Sequence, residues 1–336
     1  MKKKIFLFSI AIIALVGVFV GWKFLGPTVH APDKKFFYIS TGESFDSMRS
    51  SLVDEKIITS STWFDWTSQI LNFKTAKPGR YEIKRGMNLL GLVRMLKNGR
   101  QTPVNFVITK LRTKEALASR IGNAFECDSA HMMNFLNSPD SLKNFGLDTS
   151  TAMAAAMPFT YTIKWNTTPS SIFEHFITAY KTFWTPVRKQ KAASLGLTQT
   201  QVATLASIIE EETNAQSDKP NVASVYLNRI AKGMPLQADP TVKFALKNFN
   251  LKRILSGHLQ IQSPYNTYIN KGLPPGPICT PSLETIDAVL DSPKTDYLYF
   301  VANSNFDGTH IFTTNYAEHM KYAKLYQQEL NKRNIK

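Results

Sequence analysis

Three consecutive glutamates, Glu210 to Glu212, are the residues of this sequence best suited to acid–base chemistry. They end a stretch, ATLASIIEEET, whose pattern predicts a helix from about Gln199 to Thr213. Thr198 followed three residues later by Gln201 is typical of a capping box, in which each side chain bonds to the backbone N–H of the other residue. The glutamates are therefore expected at the C-terminal end of an amphipathic helix.

Glu212 differs from the other two glutamates in its helical position. Leu205, Ile208 and Ile209 have the spacing of a buried face, and the next position on that face is Glu212. Successive helix residues are about 100° apart, so Glu210 lies about 200° from Glu212 around the axis. We expect three different environments for the three carboxylates, with Glu212 on the apolar face.

The glutamate run has two interpretations. Such a run at a helix end is commonly a solvated surface, although three negative charges there oppose the helix dipole. Alternatively, burial raises the pKa of Glu212, which then stays protonated near neutral pH and can donate its proton to a leaving oxygen. That donation is the first half of glycosidic bond cleavage. Most glycosidases also need a second carboxylate, for which Glu210, Asp239 and Glu284 are the available partners.

Other common catalytic machinery is missing from the sequence. It contains no H-E-x-x-H, paired C-x-x-C, P-loop, G-x-G-x-x-G or G-x-S-x-G motif. The histidines are scattered, and we interpret His310 and His319 as structural residues. We therefore predict neither a metal nor a cofactor. Cys127 and Cys279 are far apart in sequence and either form a disulfide or remain buried thiols.

The N-terminus predicts a membrane anchor. Three lysines precede eighteen uncharged residues, Ile5 to Trp22, which is enough to span a bilayer. We predict a cytoplasmic tail at residues 1–4, a transmembrane helix at 5–24 and a linker at 25–35. Lysines before the span favour an N-terminus in the cytoplasm and the remainder outside the cytoplasmic (inner) membrane, on its periplasmic side. A cleaved signal peptide is the alternative.

The charge of the chain points to an acidic partner. The formal net charge is +15, and the 40 lysines and arginines are spread along the whole chain rather than gathered in one patch. With the bulk of the protein outside the membrane, anionic lipid or an acidic cell-wall polymer fits this charge better than nucleic acid does.

The remainder of the chain predicts an α+β fold in two parts. Between residue 36 and about 125, strand-like segments are each followed by a helical pattern, as in Phe36 to Ile39 and then Ser44 to Leu52. From 126 to 336 helical patterns dominate, with a hairpin before a final helix that starts near Asn315. Asp239, which precedes a proline, is an expected N-cap of a short helix.

Six motifs in a fixed order resemble one known family. They are ASIIEEET, VASVYLNRI, KGMPLQADPT, YNTY, GLPPGPI, and YLYFVA followed by H-x-F. Together they are similar to the YceG-like endolytic murein transglycosylase family, also called MltG, over nearly the whole chain. Each motif alone is weak, and their order makes the resemblance specific. The E-x-E-T pattern of the family falls on Glu210, Glu212 and Thr213.

The resemblance implies a fold and an activity. The fold would be an N-terminal transmembrane helix, a LysM-like βα region at 36–125 and a mixed α+β catalytic domain at 126–336. The activity would be cleavage of the bond between N-acetylmuramic acid and N-acetylglucosamine in nascent peptidoglycan, leaving a 1,6-anhydro end. Glu212 would act first as acid and then as base, without a second carboxylate.

The resemblance also implies site residues and partners. The residues that match family motifs, and are expected to shape the glycan cleft, are Glu210, Thr213, Gln237, Asp239, Tyr265, Asn266, Thr267 and Tyr268. The implied partners are peptidoglycan strands, the cytoplasmic membrane and peptidoglycan synthases.

One segment departs from the family pattern, and two other functions remain open. Many members have an acidic-Gly-aromatic run before F-P-x-T-Y, where this chain has MAAAM at Met153 to Met157. Whether that segment contacts substrate is therefore open. The other functions are a non-catalytic peptidoglycan-binding scaffold, and a muramidase-type hydrolase that uses Glu212 together with Asp239.

Overall fold

The structure, a computed structural model, describes residues 2–31, 35–251 and 253–333 and has a mixed α+β fold. Parts of the predicted tail, of the predicted linker and of the C-terminus lie outside these ranges. Contacts between Cα atoms divide the chain into two compact units. Unit 1 comprises residues 1–105, 124–127 and 162–168, and unit 2 comprises 106–123, 128–161 and 169–336. This division differs from the predicted boundary near residue 125, because the third strand–helix segment contributes its helix to unit 2.

Helix α1, Lys2–Leu25, is the apolar helix expected at the N-terminus. Its 24 residues have a mean hydropathy of 2.7 and none is buried, so by length and composition it could cross a membrane. The helix begins at Lys2, before the predicted span. Near its C-terminal end, the rings of Phe19 and Phe24 lie 6.2 Å and 5.6 Å from the ring of Trp63.

The remaining elements of unit 1 follow the predicted strand–helix pairs, with one helix added. They are β1 Phe36–Ile39, α2 Phe45–Asp54, α3 Ser61–Ile70, β2 Gly79–Glu82, α4 Leu89–Asn98 and, at its end, β3 Val104–Val107. β1 and β2 pair antiparallel, with Phe37 opposite Tyr81, and both of these side chains are fully buried. The side chains of Ser44 and Asn88 cap α2 and α4. Helix α3 was not predicted.

The described part of the predicted linker is bound to unit 1. Val29 is 2% exposed and belongs to the hydrophobic core of the unit. Its backbone N–H donates to the carbonyl oxygen of Met87 at 3.2 Å, and that of His30 donates to Ile57 at 2.9 Å. The chain is therefore fixed to the unit within a few residues of the end of α1.

Unit 2 is mainly helical. Its elements are α5 Lys114–Gly122, α6 Ser129–Leu136, α7 Pro139–Lys143, β4 Thr160–Ile163 (paired with β3), α8 Pro169–Phe183, α9 Pro186–Ser194, α10 Gln199–Glu212, α11 Lys219–Ala231, α12 Asp239–Ala245, α13 Leu283–Leu290, β5 Tyr299–Ala302, β6 His310–Thr313 and α14 Tyr316–Lys332. β5 and β6 form the predicted antiparallel hairpin. The predicted final helix is confirmed as α14, capped by the side chain of Asn315.

Helix α10 is the central helix of unit 2. Both hydrogen bonds of the predicted capping box are present, between Thr198 and Gln201. Every residue from Val202 to Ile209 is buried, and α10 packs against α11, α12 and α13. The helix is therefore surrounded by protein along its middle, and not only along one apolar face.

The structure bears on two local expectations, the N-cap role of Asp239 and the surface exposure of the segment Met153 to Met157. The N-cap of α12 is Ala238, and Asp239 is the first helical residue, so its carboxylate makes no capping bond. The prediction that Asp239 is an N-cap was therefore wrong. Met153 to Met157, the segment that departs from the family pattern, is fully or almost fully buried. Its side chains pack mainly into the core, and only Met153 also borders a cavity.

Candidate active site

The C-terminal end of α10 places three adjacent carboxylates in three different environments. Thr213 ends the helix in an extended conformation, and its buried hydroxyl accepts a hydrogen bond from the N–H of Ala215 at 3.0 Å. The glutamate run is therefore not a solvated helix end, because each of its side chains has a specific partner in unit 2.

Glu210 is paired with a buried lysine. Lys219, whose side chain is 2% exposed, donates from Nζ to Glu210 Oε2 at 3.0 Å. The hydroxyls of Ser282 and Thr285 donate to the same oxygen. Although burial of Glu210 acts to raise its pKa, these hydrogen bonds and the lysine charge leave the pKa lowered. Glu210 is thus held as an anion that joins α10, α11 and α13.

Glu211 forms an ion pair about 100° around the helix from Glu210. Its carboxylate lies 2.9 Å from Lys110 Nζ and 2.9 Å from Arg112 Nη2. The Arg112 guanidinium also donates from Nε, which gives a two-pronged contact. Glu211 therefore has a structural partner as well, although its cations are more exposed than Lys219.

Glu212 lines an open cleft, whereas Glu211 borders only a small cavity beside Arg112. The cleft has a volume of about 330 Å³. Its lining residues are Glu212, Tyr226, Arg229, Leu236, Gln237, Asp239, Tyr268, Phe300 and His319. Glu212 Oε1 accepts a hydrogen bond from the hydroxyl of Tyr226 at 2.7 Å.

The surroundings of Glu212 favour its protonated form. Burial raises its pKa from the ordinary value of 4.5 to about 7, and the negative charge of Asp239 adds to the rise. The hydrogen bond from Tyr226 acts in the opposite direction, because it stabilises the carboxylate. The position at the C-terminal end of α10 also disfavours a negative charge. Glu212 can therefore hold a proton at neutral pH and release it to a substrate atom.

Side chains of the cleft are held by hydrogen bonds to nearby loops. Arg229 is 8% exposed and donates to the carbonyl oxygens of Leu298 at 2.7 Å and Leu236 at 2.8 Å. The hydroxyl of Tyr268 donates to Asp239 Oδ1 at 2.6 Å. These contacts fix the opposite walls of the cleft, so that Asp239 and Glu212 face the same space.

The structure brings together some of the residues expected from the motifs. Glu212, Gln237, Asp239 and Tyr268 line the cleft. Gln237 adopts a left-handed backbone conformation with φ of 53°, which turns the chain towards the cleft.

Other expected residues lie elsewhere. Asn266 and Thr267 are buried, and they hold the loop by donating to Leu259 and accepting from Ala238. Tyr265 lines a different cavity. Glu210 and Thr213 are positioned around the end of α10 and do not line the cleft.

Five lining residues were not expected as part of the site: Tyr226, Arg229, Leu236, Phe300 and His319. Tyr226 and Arg229 are three residues apart on α11, so they lie on one face of that helix. That spacing is visible in the sequence, but only the packing of α11 against α10 shows that Tyr226 reaches Glu212. His319, interpreted as structural, stacks on Tyr299 with ring centroids 5.3 Å apart.

No metal site accompanies the cleft in the part of the chain that the structure describes. Within residues 2–31, 35–251 and 253–333, no group of three or more His, Cys, Asp or Glu side chains could hold a metal ion. Cys279 is buried, and its Sγ lies 3.4 Å from the carbonyl oxygen of Ser207, which is the environment of a structural thiol.

A family model described as the YceG-like family matches residues 37–325, which include parts of both units and every residue of the cleft. The chain belongs to the YceG-like family. A relative named endolytic murein transglycosylase, from Bacillus subtilis (strain 168), is 31% identical over 321 residues, covering 88% of this chain and 85% of that protein. A relative of the same name from Streptococcus pneumoniae serotype 2 (strain D39) is 26% identical over 349 residues, covering 94% of this chain and 63% of that protein.

A solved structure also resembles this chain. The 2.6 Å crystal structure of a yceG-like protein from Listeria monocytogenes has a TM-score of 0.56 and 28% sequence identity to it. The likeness covers 86% of this chain and 99% of that protein. The sequence match to the family model and the structural match to this crystal structure therefore agree on a YceG-like fold.

Proposed function

We propose that this YceG-like protein is an endolytic peptidoglycan lytic transglycosylase, with Glu212 as its catalytic acid and base. It cleaves the β-1,4 bond from N-acetylmuramic acid to N-acetylglucosamine in nascent strands and so limits their length. The names of the relatives support the reaction class. The observation that carries the assignment of Glu212 is its position in the cleft with a pKa raised to about 7.

The reaction needs one carboxyl group in two protonation states. Glu212 donates its proton to the glycosidic oxygen, and the C1–O bond breaks to leave an oxocarbenium-like sugar. The acetamido group of the substrate and the polar side chains of the cleft stabilise that charge. The Glu212 carboxylate then takes the proton of the C6 hydroxyl, whose oxygen closes onto C1. The enzyme regains its starting state and no water is consumed.

A second candidate function uses the other carboxylate of the cleft. Because Asp239 lines the same space as Glu212, it could activate a water molecule for a muramidase-type hydrolysis. A third candidate is a non-catalytic scaffold that only binds peptidoglycan. The raised pKa of Glu212 favours acid catalysis over the scaffold, since a binding surface has no need of a protonated carboxyl group.

The products distinguish these three functions. We expect glycan strands digested with the full-length protein to carry 1,6-anhydro ends, detected by mass spectrometry of the fragments. Reducing ends in their place would assign the hydrolase mechanism, and intact strands would assign the scaffold.

The pH profile of cleavage tests the role of Glu212 as an acid. Because the protonated form is required, kcat/KM should be level below pH 7 and fall about tenfold per unit above it. Removing the Tyr226 hydroxyl removes a hydrogen bond that stabilises the carboxylate, so Tyr226→Phe should raise the pKa of Glu212 and move the fall to higher pH. The measurement is kcat/KM between pH 5 and 9. A fall that stays in place, or moves to lower pH, would contradict the assignment.

We also propose how the chain is placed in the cell. Helix α1 anchors the protein in the cytoplasmic membrane with the N-terminus in the cytoplasm, supported by the lysines before the span. Residues 36–125 act as a LysM-like region that holds peptidoglycan, supported by the antiparallel β1–β2 pair and its helices, and 126–336 form the catalytic domain. Peptidoglycan synthases are proposed as partners because they produce the nascent strands.

A further inference from the structure

A second cavity in unit 2 has the chemistry of a peptide-binding site. Its volume is about 280 Å³, and its lining includes Tyr265, a residue of the YNTY motif that does not line the cleft. We call it the cationic pocket and define it by Arg112, Lys114, Met153, Phe244, Lys247 and Tyr265.

The floor of the cationic pocket is apolar and rigid. The rings of Phe244 and Tyr265 are in contact, with centroids 4.7 Å apart, and Met153 completes the surface. The Tyr265 hydroxyl hydrogen-bonds to Ser150, whose carbonyl oxygen is so close to Gly276 that any Cβ there would overlap it. Small apolar groups such as alanine methyls fit a floor of this kind.

The rim of the cationic pocket carries two lysine ammonium groups that can exchange their present partners for a ligand. Lys114 Nζ hydrogen-bonds to the neutral amide oxygen of Asn137 at 2.6 Å. Lys247 pairs with Glu115 at 3.2 Å, but both side chains are more than half exposed, so the pair is weak and exchanges readily. An incoming carboxylate can therefore pair with both ammonium groups, in competition with Asn137 and with Glu115, which also lines the pocket.

Helix α12 connects the cationic pocket to the catalytic cleft. Its first residue, Asp239, lines the cleft, while Phe244 near its other end and Lys247, two residues beyond that end, line the pocket. Lys243 lines a small cavity with Arg112, which also borders the pocket. At a rise of about 1.5 Å per residue, the two ends of α12 are about 9 Å apart. A polymer bound in the cleft therefore passes near the pocket.

We propose that the cationic pocket binds the short, carboxylate-bearing peptide attached to an N-acetylmuramic acid residue close to the bond that is cut. This inference rests on the proposed function, because it assumes peptidoglycan in the cleft. The glycan itself is largely neutral at its ring atoms, whereas the peptide combines small apolar side chains with free carboxylates. The apolar floor and the cationic rim match that combination.

The test compares two substrates that differ only in the peptide. Full-length protein is given uncrosslinked peptide-bearing strands, and the same strands after an amidase has removed the peptides. In the variant Lys114→Gln/Lys247→Gln, kcat/KM on peptide-bearing strands should fall about tenfold through a higher KM, with bare glycan cleaved as by the wild type. Lys143→Gln/Lys181→Gln removes the same charge from exposed sites outside the pocket and should change neither value.

Two results would overturn the proposal: an equal loss on both substrates, or an unchanged preference for peptide-bearing strands in the Lys114→Gln/Lys247→Gln variant. If the wild type cut neither substrate, the proposed function would be wrong. Direct titration with an isolated disaccharide-peptide then decides the pocket by itself. The wild type should bind it about tenfold more tightly than the variant, and equal binding would reject the pocket.

Discussion

Glu212→Gln should abolish cleavage, lowering kcat by at least about a thousandfold, because an amide can neither donate the proton to the glycosidic oxygen nor accept one from the C6 hydroxyl. The substitution keeps the shape of the side chain and an oxygen that can accept the Tyr226 hydroxyl. The measurement is the rate of anhydro-end formation by the purified full-length protein. Activity within tenfold of that of the wild type would contradict the assignment of Glu212 as the catalytic residue.

The same variant should remain folded, with a stability difference that depends on pH. Since the pKa of Glu212 is raised in the folded state, the wild type loses stability as pH rises from about 4.5 to about 7. Glutamine does not ionise, so Glu212→Gln is expected to melt at the same or a higher temperature than the wild type at pH 8. A clearly lower melting temperature at pH 8 would show that the loss of activity has a structural cause.

Glu210→Gln should have the largest effect on stability. It leaves the buried Lys219 ammonium beside a neutral amide and the Thr285 hydroxyl, with no negative charge to balance it, and breaking a buried ion pair in this way costs about 3–5 kcal/mol. For a protein of this size that corresponds to a fall of roughly 4–7 °C in melting temperature. The measurement is thermal and denaturant unfolding of the purified protein. At temperatures where it stays folded, the variant should retain cleavage, since Glu210 does not line the cleft.

Glu211→Gln is the matched control for both effects. Its partners, Lys110 and Arg112, have side chains that are 37% and 40% exposed, so water can solvate them when the carboxylate is lost. We expect a loss of about 1 kcal/mol. A loss as large as that of Glu210→Gln would mean that burial of the cation does not set the cost. A greater fall in kcat for Glu210→Gln than for Glu212→Gln would reverse the assignment of the catalytic residue.

Local sequence signals predicted α10 well, because its capping box and its apolar spacing depend only on neighbouring residues. The angular separation of the three glutamates also follows from helix geometry alone. The partners of the three glutamates do not follow from helix geometry. Lys219, Tyr226 and Arg112 come from other segments, and no periodicity in the sequence indicates which of them meets which carboxylate.

The loop motifs show the same limit more clearly. In YNTY, Tyr268 reaches the cleft, Asn266 and Thr267 are buried in the loop, and Tyr265 lines another cavity. An irregular loop has no repeat from which side-chain direction can be inferred. The motif therefore indicated that this loop belongs to the site, but not which of its side chains line the cleft. Helix α3 was missed although Ser60 caps its start as Ser44 caps that of α2.

The three glutamates of α10 are chemically identical, so what distinguishes them is rotational phase. Deleting one residue upstream in α10 would turn the end of the helix by about 100° and bring Thr213 to the angle now held by Glu212. The chain would keep three glutamates in a row and two of the three carboxylate positions filled, yet the cleft would hold a hydroxyl instead of an acid. The proposed activity therefore depends on the length of this helix as strictly as on its composition.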